Sequence, residues 1–259
     1  MFMADWGAVA ALGLLIGVFS GLFGVGGSSI STPLLRIFLG TPPLIALASP
    51  LPVTLPTALA GALVYQGQKL INIRVVAWTV AGGVPSMIVG ALLTRWTPPE
   101  GLMIMVGAAI LVIGVEMIRS PVPPDALGPG ERLWQDPPGT RLLAVAIPVG
   151  FLSGLLANGG GFLLVPAFVL LFGATVRRAA ATSLPCIALL AVPGTITHAA
   201  LGHIDGWLSL QLSLGVIPGT YVGARLSLWL RHVHLRQPFG LFMAAFGVYF
   251  LVRELLKTI

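Results

Sequence analysis

This chain repeats itself, and that fact narrows its fold more than any other. Gly17 to Leu22 reads GVFSGL and Gly150 to Leu155 reads GFLSGL, an offset of 133 (150 − 17). At the same offset Gly26-Gly27 meets Gly159-Gly160, Pro33 meets Pro166, Gly40 meets Gly173 and Pro52 meets Pro185. Gly61 meets Gly194, Pro85 meets Pro218, and Gly90-Ala91 meets Gly223-Ala224. Pro99, Gly101 and Leu102 match Pro238, Gly240 and Leu241 at an offset of 139 (238 − 99), with the extra residues in the loop that carries Arg231 and Arg236. Internal repeats of this kind are typical of secondary transporters.

The repeats are apolar. Only 8% of the 259 residues are charged and 56% are hydrophobic, whereas a soluble domain carries about 25% charged residues. Apolar runs fall at about 6–24, 28–40, 44–66, 73–95 and 100–118, and again at about 142–157, 160–173, 179–201, 207–230 and 238–256. Runs of this length predict helices in a bilayer. The fold class is therefore all-α, a polytopic integral membrane protein. The stretch from Ser120 to Arg141, SPVPPDALGPGERLWQDPPGTR, is rich in Pro, Gly and charge and reads as an exposed loop. The chain divides into a first transmembrane repeat (1–118), a cytoplasmic loop (119–141) and a second transmembrane repeat (142–259). The net charge of +6 sits at the ends of apolar runs, so it reads as a topology signal and not as a nucleic-acid patch. Cys186, the only cysteine, excludes a disulfide framework and a cysteine-based metal site. The N-terminus MFMADWG has no basic region and carries Asp5, so the first apolar run is expected to stay in the mature chain.

Basic loops alternate oppositely in the two halves. Lys69 and Arg74 lie between the third and fourth segments, where the second half has His203 and Asp205. Arg177 and Arg178 lie between the second and third segments of the second half, where Gly40 to Leu44 carries no base. By the positive-inside rule this predicts inverted repeats, with the central loop in the cytoplasm and both termini outside. Arg253 and Lys257 argue mildly against that orientation. Inversion needs an odd number of crossings per half. Each half is then a re-entrant or broken helix hairpin followed by three transmembrane helices. The second segment, Ser28 to Leu39, supports this, because a dozen residues rise only about 18 Å against a hydrocarbon core of about 30 Å.

The hairpin turns are the candidate site. They read Gly24-Val-Gly-Gly-Ser-Ser29 and Ala157-Asn-Gly-Gly-Gly161. Irregular backbone at membrane depth is tolerated where it is buried in protein or lines a cavity. A glycine-rich turn opening a helix offers free N–H groups and the positive end of the dipole. Two such termini meeting near the midplane suit an anion with several acceptor oxygens. The candidates are Gly26, Gly27, Ser28, Ser29, Asn158, Gly159, Gly160 and Gly161. Ser49, Thr54, Thr182 and Ser183 lie in proline-interrupted segments and would complete a cavity, or else serve locally satisfied kinks. Gly13, Gly17 and Gly21, like Gly150 and Gly154, read as small-residue packing faces. Gly24-Val-Gly26 superficially matches a dinucleotide fingerprint but has no strand context.

Arg225 stands inside the fourth segment of the second half. It is a candidate anion ligand, or it snorkels to the cytoplasmic interface. Arg36, near the end of its short segment, is expected to snorkel. His198 takes the place of Tyr65 and reads as a hydrogen-bonded structural histidine. His232 and His234 have no evident third ligand, so no metal is expected. Of the eight acids, only Glu116 is assigned to a span. A cation transporter or a proton relay would expect deep carboxylates.

The segments GVFSGLFGVGGSSISTPLL and VGFLSGLLANGGGFLLVPAF, together with LINIRVVAWTVAGGVPSMIVGALL and HIDGWLSLQLSLGVIPGTYVGARL, resemble the sulfite exporter TauE/SafE family of membrane permeases. Where that family often continues with glycine, this chain has Ser28 and Ser29. The resemblance implies transport of a sulfur-containing anion such as sulfite or a sulfoacetate-like organosulfonate, with export the expected direction. A sulfonate presents three acceptor oxygens, which suits clustered N–H donors. The alternatives are a transporter or channel for another small anion, and proton-coupled uptake of a sulfur oxyanion. No HExxH or GxSxG motif occurs in any segment, so an intramembrane enzyme is not expected. No cofactor is expected either. The expected partners are a small anionic substrate and the lipid bilayer of a cell (inner) membrane, with no nucleic acid, and exposed small-residue faces would allow a homodimer.

Overall fold

The computed structural model describes residues 6–24, 28–66, 70–119, 137–229 and 233–258. Gly26, Gly27, Lys69, Arg231, His232 and most of the central loop lie outside them. The helices of the first half are α1 (Trp6–Phe23), α2 (Ser28–Phe38), α3 (Pro43–Ala48), α4 (Pro50–Gln66), α5 (Ile73–Leu93) and α6 (Pro99–Arg119). Those of the second half are α7 (Gly139–Leu155), α8 (Gly161–Phe172), α9 (Val176–Ala200), α10 (Gly206–Trp229) and α11 (Val233–Thr258). Among the described residues there is no strand, as the apolar runs predict. One expected segment is broken in two. Proline has no N–H to donate, and α3 gives way to α4 at Ser49-Pro50.

The surface is apolar, and small hydroxyl residues are buried within an interior that is itself largely apolar. Leu63, Val89, Ile196 and Leu214 are exposed, whereas Thr54, Thr57, Ser153, Thr182, Ser183 and Thr220 are buried. Among the described residues, five stretches are long and apolar enough to cross a bilayer, including Pro43–Gln66 and Pro99–Arg119. Buried hydroxyls bond back to carbonyls one turn away, as Thr54 does to Pro50 O at 2.9 Å and Thr220 to Val216 O at 2.8 Å. Such bonds satisfy the hydroxyl without water.

Helices pair across the halves. α1 packs on α10, and its counterpart α7 packs on α5. Both pairs run parallel and both are made by glycine. A Cβ at Gly13 would stand 2.7 Å from Leu212 O, one at Gly219 would stand 3.0 Å from Gly17 Cα, and one at Gly154 would stand 2.8 Å from Ala91 N. These are the small-residue faces that the sequence spacing predicts. Counterpart helices also meet each other, and they run antiparallel. On α6 and α11, Gly107 faces Leu251 while Gly114 faces Ala244. On α4 and α9, Gly61 faces Leu184 while Leu51 faces Gly194. Inverted repeats require antiparallel counterparts.

Each of the first two helices of a half leaves one end of the bundle and returns to it. Trp6, at the start of α1, packs edge-on against Trp207 at 5.1 Å. Leu39 and Thr41, just after α2, line the same small crevice as Trp207 and Asp205. Gly139, at the start of α7, lies against Trp78, while Thr182, two turns into α9, bonds to Asn72 N at the start of α5. α8 ends only a short connection before α9. The two hairpins therefore enter from opposite ends.

Arg36 departs from the expectation that it snorkels. Its Nη2 donates to Glu254 Oε2 at 2.6 Å and its Nη1 to Thr41 O at 3.1 Å. Glu254 is itself a second acid within an apolar helix, α11, and 4% exposed. The pair ties the end of the first hairpin to the last helix, and a buried charge pair survives because each partner neutralises the other. Glu254→Gln is expected to lower stability by about 3 kcal/mol, because it strands the guanidinium. The double change Arg36→Met with Glu254→Leu is expected to recover most of the loss. Thermal unfolding in detergent reads both. Equal losses in the single and double variants would show that the pair contributes no specific coupling.

Candidate functional site

Each hairpin reverses through left-handed backbone at corresponding positions. φ is +68° at Gly24 and +45° at Ala157, its counterpart at offset 133 (157 − 24). Gly159 and Gly160 follow at +51° and +88°, conformations open to glycine at little cost. Gly160 caps α8, and its N–H turns back onto Asn158 O. Leu164 N then donates to Gly160 O at 2.9 Å. The N–H groups of Gly161 and Phe162, at the start of α8, have no acceptor within the helix, whereas Leu163 N already bonds to Gly160 O at 3.1 Å.

The two turns touch. Ser28, the first residue of α2, donates its hydroxyl to Asn158 Oδ1 at 2.8 Å. Both side chains are buried, at 0% and 1% exposure. The amide of Asn158 thereby presents its NH2 edge as a donor. A Cβ built on Gly159 would lie 3.1 Å from Thr54 Cγ2 and 3.8 Å from Ser28 Oγ, so Thr54 also borders the contact. The N-termini of α2 and α8 thus converge from opposite ends of the bundle on one buried point. Among the described residues this point is closed to solvent.

Other sequence candidates serve elsewhere. Ser49 Oγ accepts from Asp205 N at 2.9 Å, and Thr182 Oγ1 accepts from Asn72 N at 3.2 Å. Ser49 and Thr182 are counterparts (182 − 49 = 133), as are Asn72 and Asp205 (205 − 72 = 133). Each hydroxyl holds the N-cap of the helix that opens the next span in the other half. The Asn72 side chain takes the N–H of Arg74 and Val75, and that of Asp205 takes Trp207 and Leu208. Ser183 braces the first turn by donating to Gly24 O at 2.9 Å. Arg225 is not brought to the turns. It is exposed, stacks over Tyr221 at 4.7 Å, and lines an open groove with Leu63, Val64, Leu228 and Trp229. Gly26 and Gly27 lie outside the described residues, and Ser29 follows Ser28 in α2.

Ser20 and Ser153 are additional candidates. They occupy the same place in the two halves (153 − 20 = 133), inside the GVFSGL and GFLSGL motifs whose repetition was their signal. A Cβ on Gly160 would lie 3.0 Å from Ser153 Oγ. Ser153 bonds back to Val149 O at 2.6 Å, whereas the buried Ser20 hydroxyl has no partner among the described residues.

The sequence profile of the sulfite exporter TauE/SafE family matches residues 9–250. A probable membrane transporter protein of Bacillus subtilis (strain 168), YjnA, is 31% identical over 230 residues, covering 85% of this chain and 89% of that one. A second from the same organism, YunE, is 29% identical over 237 residues, covering 84% and 85%. A probable membrane transporter protein of Xylella fastidiosa (strain 9a5c) is 26% identical over 248 residues, covering 93% of each chain. No solved structure matches. The chain belongs to the TauE/SafE sulfite exporter family and is a multi-pass membrane transporter.

The contact between the turns predicts a coupling that can be measured. Ser28→Ala and Asn158→Leu are each expected to reduce anion flux, and the double variant is expected to lose less than the product of the two. A coupling of about 1 kcal/mol is expected for one buried hydrogen bond. Independent, multiplicative losses would show that the two residues do not act together.

Proposed function

We propose that this member of the family carries a small sulfur-containing oxyanion, sulfite or a sulfoacetate-like organosulfonate, and exports it through a site between the two hairpin turns. One observation carries the reading: the Ser28–Asn158 bond joins the N-termini of two helices that approach from opposite ends. Both termini bring positive dipole ends and outward N–H groups, and no carboxylate of the described residues is bonded to either turn. Ser20, Ser28, Asn158 and the N–H groups opening α8 form the donor set. Thr54 and Gly159 shape its wall.

The antiparallel meeting of α6 with α11 and of α4 with α9 supports an inverted, pseudo-two-fold arrangement. In such a transporter the site stays near the midplane while one hairpin and then the other gives way. Arg74, Arg141, Arg177 and Arg178 lie near the same end, at the starts of α5, α7 and α9. This supports a cytoplasmic placement of that end in the cell (inner) membrane. A negative interior then favours anion efflux by about 2.3 kcal/mol per charge per 100 mV, which suits export.

Reconstitution into sealed proteoliposomes tests the reading with labelled sulfite, sulfoacetate, sulfate and chloride. Selective flux of the sulfur anions is expected, with a loss of about ten-fold or more in Ser28→Ala, whose hydroxyl would donate to a charged ligand. In Gly160→Leu, which forces a side chain onto left-handed backbone, flux should vanish. Flux indifferent to Ser28→Ala in well-folded protein would remove the site from the turns. Orientation is read separately by single cysteines in a Cys186→Ala background. Arg141→Cys should react with an impermeant maleimide only from the cytoplasmic side, and Glu100→Cys only from the outside. The opposite pattern would reverse the orientation.

A further inference from the structure

The halves differ at one position that touches the second turn. In the first half Tyr65 donates its hydroxyl to Gly21 O at 3.3 Å. In the second half the counterpart His198 (198 − 65 = 133) places Nε2 2.9 Å from Gly154 O, the counterpart of that carbonyl (154 − 21 = 133). The other ring nitrogen, His198 Nδ1, lies 3.2 Å from Nδ1 of His203. A carbonyl only accepts, so His198 Nε2 carries the hydrogen and His198 Nδ1 is the acceptor. His203 must then donate from its own Nδ1, which leaves its Nε2 free to take a proton. His203 is half-buried on the short connection between α9 and α10, at the end of the bundle opposite the basic starts of α5, α7 and α9.

We propose that His203 and His198 form a proton-binding relay that controls the second hairpin and makes anion transport proton-linked. A proton adds to His203 Nε2. The Nδ1–H bond of His203 breaks as a new N–H bond forms at His198 Nδ1. His203 is neutral again, and the positive charge rests on His198 while Nε2–H stays on Gly154 O. One proton and one charge move inward with no displacement of heavy atoms. The charge arrives where it counts. Gly154 O also accepts from Ala157 N at 3.1 Å, and Ser153 O accepts from Asn158 N at 2.8 Å. An imidazolium donor therefore pulls on the carbonyl that shapes the turn, and it favours a nearby anion. His198 is a positioning residue in this scheme, acting through Gly154.

Few other charges bear on the pair. Asp205 follows on the same connection, but its Oδ1 takes the N–H of Trp207 and Leu208. Arg95, beyond the end of α5, stacks on Trp96 at 4.7 Å, and Arg36 and Glu254 neutralise one another. α7 offers Gly154 O, and the Ser49 hydroxyl, between α3 and α4, takes the N–H of Asp205. Burial holds His203 below the ordinary histidine range.

The inference rests on the hairpin reading above, and its failure is distinguishable. Flux of methanesulfonate, whose charge is constant in this window, is measured in proteoliposomes between pH 8 and pH 5.5. Wild type is expected to change at least about five-fold across a histidine titration. His198→Tyr restores the residue type of the first half, so it should fold, match wild type at pH 8 and be flat with pH. His203→Gln should also be flat. A flat wild type, or a pH response kept by His198→Tyr, would overturn the relay while leaving the anion site intact. Histidine 15N shifts give a readout that needs no transport. His198 protonated at Nε2 and titrating jointly with His203 is expected, and two independent titrations would overturn it.

Discussion

Backbone contact between helices of different halves is the constraint on which everything else depends. Lipid tails are as apolar as leucine, so apolar burial does not drive one membrane helix against another. Close approach must supply the attraction, and glycine permits it. Gly13 of α1 faces Leu212 O of α10, and Gly154 of α7 faces the backbone of α5 near Ala91. Because these parallel pairs exchange helices between halves, neither half buries its glycine faces alone. Each hairpin is thereby anchored by the other half. Its short returning helix can end at a buried turn, where irregular backbone in a bilayer would otherwise go unsatisfied.

The same exchange sets the closed point within a firm frame. Ser28 and Asn158 hold the turns together with one hydrogen bond, a modest interaction in net terms. The clamps around it are more numerous. Ser49 with Asp205 and Thr182 with Asn72 fix the N-caps of α10 and α5 across the halves, and Ser183 braces Gly24. In the proposed cycle, a firm frame around a weak central contact would let the turns part without dissolving the bundle. The frame is nearly symmetric. The contact is not, because Ser28 has Gly161 as its counterpart (161 − 28 = 133) and Asn158 has Val25 (158 − 25 = 133).

Much of this was legible in the sequence, and the limits are physical. Apolar runs gave helix ends within a few residues, as at 73–95 against Ile73–Leu93 and 207–230 against Gly206–Trp229. Repeated glycines marked both turns and packing faces, because few other residues allow positive φ or backbone contact. His198 proved to be the hydrogen-bonded histidine that its position suggested. Partners distant in sequence were not legible. Thr182 and Ser49, read as cavity hydroxyls or as serving locally satisfied kinks, hold N-caps in the opposite half. Arg36, expected to snorkel, finds Glu254, an acid inside the 238–256 run although only Glu116 is assigned to a span from sequence, and apolar periodicity says nothing about which helix end meets which. Arg225, read as an anion ligand or a snorkelling residue, lies exposed on α10 over Tyr221.

Cross-linking tests the central claim most directly. With Cys186→Ala as background, Ser28→Cys and Asn158→Cys are combined and mild oxidant is applied to the reconstituted protein. The account predicts rapid disulfide formation, loss of anion flux, and recovery of flux on reduction, because the turns meet in one state and must separate in another. If no disulfide forms in folded protein, or if the cross-linked protein transports at the uncross-linked rate, the turns are not the gate and the anion passes elsewhere.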